Sequence, residues 1–172
     1  GIGYLKVLFN TEVLPPEDLP YAGLLKSILG SISTEHYSYS DLTSEIHLNS
    51  GGVDFSVTSY PDLADPERFT GAFVASIRVL YDKLDFGFTI LEEILNHSVF
   101  TDEKRLGEVI QETRSRAKMK LENAGHSTAV SRATSYFSAT AYYNELTGGT
   151  ALPFSPATSE VARSYTALRR SS

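Results

Sequence analysis

Zinc-dependent hydrolysis asks for two imidazoles and a carboxylate on one helix face, and H-x-x-E-H supplies them within a single stretch of helix. The chain has four histidines, His36, His47, His97 and His126, and no two are spaced to share a helix face. One near match exists. Ile32-Ser33-Thr34-Glu35-His36 has an isoleucine where the first histidine belongs, and it follows Gly30, where a helix is expected to stop. His36 therefore reads as a polar loop histidine and not as a metal ligand, because one imidazole cannot hold zinc. The chain has no cysteine, which removes thiolate zinc sites, disulfides and thiol nucleophiles together.

Other chemistries are no better supplied. Gly51-Gly52 and Gly148-Gly149 are isolated pairs and not phosphate-cradling loops. No G-x-S-x-G elbow occurs, although a Ser-His-carboxylate triad is defined by geometry and stays open at this point. The carboxylates Glu92-Glu93 and Asp102-Glu103 are expected at helix surfaces or starts, where solvation or capping accounts for them. Arg114, Arg116, Lys118 and Lys120 alternate along a helix, which spreads their charge around the cylinder. Glu108, Glu112 and Glu122 are placed to compensate them, so a solvated helix is expected. Tyr136, Phe137, Tyr142 and Tyr143 form an aromatic group in which Tyr136 and Tyr143 share a face on one helix; core or interface packing is preferred over a ligand box.

These residues need a scaffold, and composition supports one. The 172 residues are 41% hydrophobic and 21% charged, with a formal net charge of -6. Such a chain carries enough apolar mass for a core and is a poor candidate for general nucleic-acid binding. No apolar run approaches the roughly 18–20 residues of a membrane span. Gly1 to Lys6 lacks the features of a signal peptide and a starting Met, so the sequence is expected to begin within a longer protein. The absence of cysteine makes an intracellular compartment the default, cytoplasm or an organelle matrix.

Tyr4 to Phe9 reads as a strand, and Pro15-Pro16-Glu17-Asp18 opens a helix with Leu24, Leu25 and Ile28 on its apolar face, ending near Gly30. A second helix is expected over Tyr39 to Leu48, capped by Ser40 or Asp41. Val53 to Tyr60 alternates apolar and polar, as a half-buried strand does. After a turn between Pro61 and Pro66, Phe69 to Leu80 repeats the strand pattern with Phe73, Ala75, Ile77 and Val79 on one face. Three helices are expected to follow: Phe88 to Leu95, a long one opened by Thr101-Asp102-Glu103 and broken by Gly125, and a last one from Ser127 to Leu146. The long helix is given Leu106, Val109, Ile110 and Leu121 as apolar residues. This order predicts an α+β fold, an antiparallel sheet with helices packed on one face. Residues 1–149 form the domain. Residues 150–172, rich in Ser, Thr, Ala and Arg, read as a tail that offers at most one short helix through Val161, Tyr165 and Leu168.

Several segments in this order resemble a known family. They are Gly3 to Thr11, Leu19-Pro20-Tyr21-Ala22-Gly23-Leu24-Leu25, Thr34-Glu35-His36-Tyr37-Ser38-Tyr39-Ser40-Asp41-Leu42, Ser50-Gly51-Gly52-Val53, and Tyr142-Tyr143-Asn144-Glu145-Leu146-Thr147-Gly148-Gly149. The chain resembles the pitrilysin (insulinase) zinc metallopeptidases, presequence-protease branch, and within it the inactive third domain. The resemblance implies a domain of the mitochondrial-processing-peptidase type in which the zinc motif has degenerated. Tyr21 and Leu25 would stand at the two histidine positions and Leu24 at the catalytic glutamate. The later acidic ligand would fall near Gln111-Glu112, and Glu112 alone cannot hold a metal. No catalytic residue, metal ligand or cofactor is therefore expected in this chain, zinc belonging to an active domain elsewhere in the parent protein.

The same resemblance implies a role in the wall of a chamber where unstructured peptides are cut, with other domains of the same polypeptide and the peptides as partners. Nucleic acid and membrane are not expected as partners, and self-association of a half-bowl without its neighbour is left open. The alternative is a free-standing interaction module that docks a partner through the Tyr136 to Tyr143 helix.

Overall fold

The structure, a computed structural model, describes residues 1–65 and 68–148. The expected tail at 150–172 and the Pro66 side of the turn lie outside the described residues. Three strands form one antiparallel sheet in the order β1-β3-β2: β1 is Ile2–Asn10, β2 is Val53–Pro61 and β3 is Phe69–Leu80. The long apolar β3 is central because its residues are hydrophobic on both faces, whereas β1 and β2 alternate and tolerate an edge. Its register sets Phe73 opposite Phe9 of β1 and Val57 of β2, and Ile77 opposite Leu5 and Val53.

That register gathers Phe73, Ala75, Ile77 and Val79 with Phe9 on one face, and all five are buried. The Phe9 and Phe55 rings lie 6.4 and 6.2 Å from that of Phe73. Against this face pack α1 (Leu19–Ile28) through Leu24, Leu25 and Ile28, and α2 (Tyr39–Asn49) through Leu42 and Ile46. They are joined there by α3 (Leu84–His97) through Ile90, Leu91 and Ile94, and by the first half of α4 (Glu103–Asn123) through Leu106 and Val109. The fold is the expected α+β layer arrangement. The opposite face carries Tyr4, Lys6 and Leu8 of β1, Asp54, Ser56 and Thr58 of β2, and Ser76 and Arg78 of β3, with Tyr4, Leu8 and Arg78 exposed.

Gly30 ends the first helical region with φ 76°, a left-handed conformation that other residues adopt at a cost, and Ser31 N–H returns to the Ile28 carbonyl at 2.9 Å. The sequence reading needs correction in four places. The α2 cap is Ser38, whose Oγ accepts from Asp41 N–H at 3.2 Å, and neither Ser40 nor Asp41. Among the described residues four α-helices follow β3, because the expected last helix is two: α5 (Gly125–Thr134) and α6 (Ala139–Gly148). Hydroxyls make that break, since Ser135 Oγ donates to the Arg132 carbonyl and Ser138 Oγ accepts from Ala141 N–H, each turning the backbone out of one continuous ladder. Tyr136 and Tyr143 therefore do not share a helix: Tyr136 and Phe137 occupy the turn, 76% and 90% exposed, while Tyr143 is buried. Finally, Leu121 is exposed, because α4 leaves the core beyond Ile110.

Candidate functional site

Helix α1 is where a hydrolytic site is expected from the resemblance, and its residues settle into the core. Its first turn forms readily: Pro20 fits a position whose N–H needs no partner, and a 3-10 turn at Pro16–Asp18 leads in. Leu24 and Leu25 are 0% and 1% exposed, and Tyr21 is half-buried against the same core. Glu112 sits on the outer half of α4, paired with Arg116 one turn on. It lines a cleft of about 420 Å³ together with Lys26, Asp54 and Arg116, and none of Tyr21, Leu24 and Leu25 lines that cleft. Two hydrocarbon side chains and a phenol do not fit a zinc ion, which takes thiolate, imidazole or carboxylate donors. The other charges of α4 behave as a solvated helix should, with Arg105–Glu108 at 3.2 Å and Lys118–Glu122 at 3.8 Å.

Within the helical layer, α6 is anchored by two polar contacts. Tyr143 reaches under the sheet to Thr11, the two hydroxyls 2.8 Å apart and buried, with the Phe69 ring 5.2 Å away. Burial pushes the Tyr143 phenol above its ordinary range, and the Thr11 bond opposes that only in part. Lys26 of α1 donates to the Thr147 carbonyl at 3.2 Å; burial, then the charge of Lys120, pulls its ammonium below the ordinary lysine range.

A second group of residues comes together that spacing could not reveal. The segment from Ser33 to Tyr37 runs beside the end of α3, stitched to it by Glu35 N–H to the His97 carbonyl at 2.9 Å and Val99 N–H to the Ser33 carbonyl at 3.0 Å. His36 and His97, 61 positions apart in sequence, thereby place their rings 5.3 Å apart, edge to face. His36 Nδ1 lies 2.9 Å from Glu93 Oε2, and His97 Nδ1 lies 2.8 Å from Glu35 Oε2. Glu93 is not the solvated helix residue expected from sequence. It is 8% exposed, and it accepts from the His36 backbone N–H at 3.2 Å. Burial raises its carboxyl, but bonds from Thr34 and His36 outweigh burial and hold it below the usual range. The loop placement of His36 stands; its isolation does not.

Sequence and structure comparisons bear on this geometry. Residues 1–152 match the family of domains associated with subfamily C of the M16 peptidases. The chain belongs to that family. Among the relatives of this peptidase-associated domain is Protein HypA of Clostridium perfringens, 32% identical over 148 residues, which cover 86% of this chain and 15% of the relative. A second is the mitochondrial presequence protease of Yarrowia lipolytica, 30% identical over 152 residues, which cover 88% of this chain and again 15% of the relative. The peptidase-associated domain thus spans about 15% of the length of these curated relatives. A crystal structure described as a peptidase M16 inactive domain from Pseudomonas fluorescens superposes with TM-score 0.63 at 14% identity, over 95% of this chain and 37% of that one. It shares the fold. No helix among the described residues is long and apolar enough to cross a membrane.

Proposed function

We propose that this peptidase-associated domain is a non-catalytic part of a zinc metalloendopeptidase that degrades unstructured peptides, and that the open face of its sheet forms part of the peptide-chamber wall. The carrying observation is α1: its position after the first strand suits a zinc-binding helix, yet Leu24 and Leu25 there are fully packed hydrocarbon. A helix in the right place with its donors replaced by core residues is the expected state of a duplicated domain that has given up its metal. Zinc, in this reading, is held by an active domain elsewhere in the polypeptide, where it would activate water for peptide hydrolysis.

The open face supports the wall role. Tyr4 and Leu8 offer apolar contact beside polar Lys6, Ser56 and Thr58, a mixture that suits many peptide sequences. The exposed Tyr136-Phe137 turn suits contact with a neighbouring domain of the same polypeptide, since aromatic side chains are favoured at interfaces. The alternative of a docking helix through Tyr136 and Tyr143 loses its premise, because the two residues stand on different segments and Tyr143 faces inward.

Photo-crosslinking in the full-length parent tests the wall. A benzophenone amino acid at Leu8 on the open face is expected to capture a bound peptide, and the same group at Phe88, exposed on α3, is not. Capture at Phe88 alone, or equally at both, refutes the assignment. The isolated domain is expected to leave unstructured peptides intact, and chelator-sensitive cleavage by it would overturn the non-catalytic reading.

A further inference from the structure

We propose that Glu35, His36 and His97 form a binding site for a divalent transition-metal ion of the zinc class, which clasps the segment before α2 to the end of α3. One donor atom of each residue lies within 4.8 Å of the other two. The set is two imidazoles and a carboxylate, the combination zinc takes when three protein ligands leave one position for water. The proposal rests on these residues alone and is independent of the chamber-wall reading.

Three features distinguish this group from a chance encounter of surface side chains. First, the ligand-bearing backbones are already fixed to each other. The Glu35-to-His97 and Val99-to-Ser33 hydrogen bonds and the Thr34–Ser98 bridge hold the two segments in register. Arg105 closes the far side, its guanidinium 3.7 Å from the centroid of the Tyr39 ring and its Nε donating to the Ser31 carbonyl. Second, His36 has a built outer partner. A carboxylate can only accept, so the 2.9 Å contact puts the proton of His36 on Nδ1 and leaves Nε2 with a free lone pair. Glu93 is buried and its orientation is set by the His36 backbone N–H, and carboxylate–imidazole pairs of this kind orient metal-ligating histidines. Third, access is open: His36 and Glu35 are exposed and His97 is half-buried, so an ion can enter without unfolding anything. Glu35, exposed, can rotate from its 2.8 Å contact with His97 to add a carboxylate oxygen.

The remaining histidines are natural controls. Neither His47 on α2 nor His126 on α5 belongs to a three-donor group among the described residues. Isothermal titration of the metal-free chain with Zn²⁺, and absorption spectroscopy with Co²⁺, test the site. One equivalent is expected to bind, with the intense visible bands of four-coordinate Co²⁺. His36→Gln and His97→Gln should each weaken binding by about tenfold or more, and Glu93→Gln by about 10- to 100-fold through loss of the outer partner. His47→Gln and His126→Gln should change nothing. If a histidine variant fails to fold, Glu35→Gln, at an exposed position, carries the same expectation of weakened binding. Absence of saturable binding, or binding undiminished in the His36→Gln/His97→Gln double variant, overturns the proposal.

Discussion

At the scale of single residues, Gly71 and Tyr143 carry the clearest consequences. Gly71 of β3 sits where α6 and the chain after β1 converge. A Cβ there would lie 2.4 Å from Thr11 Oγ1 and 2.7 Å from Tyr143 Cζ. Neither neighbour can retreat freely, because the two are bonded to each other and buried. Gly71→Ala is therefore expected to destabilise the domain by about 1–3 kcal/mol, the usual cost of overpacking, read from chemical denaturation. An unchanged midpoint would mean that α6 can shift at no cost. The Tyr143 phenol makes a pH prediction with a definite sign. Its folded-state pKa is raised above the ordinary value of 10.0, so folding favours the protonated form. That contribution is fully present below the ordinary value and is lost as pH climbs through the raised one. Spectrophotometric titration should show a phenol ionising after the exposed ones, together with the loss of structure. In Tyr143→Phe the late step should vanish; its persistence would assign it to another tyrosine.

At the scale of elements, α1 shows what degeneration of a site does to a helix. Restoring the motif with Tyr21→His, Leu24→Glu and Leu25→His would bury a carboxylate and an imidazole where Leu24 and Leu25 now fill the core. Unpaired polar groups at such positions cost several kcal/mol. The triple variant is expected to lose most of its stability and to gain no peptidase activity, since Glu112 lines a cleft that the three positions do not. A folded, zinc-dependent peptidase from this variant would show instead that the helix had kept a competent geometry. Sequence legibility divides along the same line. Strands β1 to β3 and helices α1 to α4 were readable because each pairs a strong apolar period with punctuation: Pro16 and Gly30 around α1, Asp102 at the start of α4. The break between α5 and α6 was not, because serine side-chain bonding makes it, and serine is equally at home in a continuing helix surface. The His36–His97 pair was hidden for a different reason. Motif spacing detects ligands on one element, whereas these two meet only when the Ser33–Tyr37 segment docks on the end of α3. Glu93 looked solvated beside Glu92 because periodicity cannot register a buried carboxylate whose partner comes from another segment.

For the whole molecule, the question is what a sheet with one bare face does when its neighbours are removed. The strand order leaves β1 at an edge, with Ile2, Tyr4 and Leu8 exposed along it. Edge strands present unpaired backbone groups, and natural proteins protect them with charge, bulges or cover. On β1 the open face holds a single charge, Lys6, between Tyr4 and Leu8. The other edge, β2, places polar Asp54, Ser56 and Thr58 on that face and is better protected. The isolated domain is therefore expected to self-associate through β1. The whole polypeptide, with adjoining domains to cover that strand, is not. Sedimentation velocity over a wide concentration range should show the coefficient rising for the isolated domain. Leu8→Lys, a change at an exposed position, should suppress the rise while leaving the unfolding midpoint nearly unchanged, because surface substitutions of this kind cost little. A coefficient independent of concentration in the unmodified domain would show that the single charge of Lys6 and the twist of the sheet suffice to guard the edge. Association that survives Leu8→Lys would move the contact elsewhere, with the exposed Tyr136-Phe137 turn the next surface to vary.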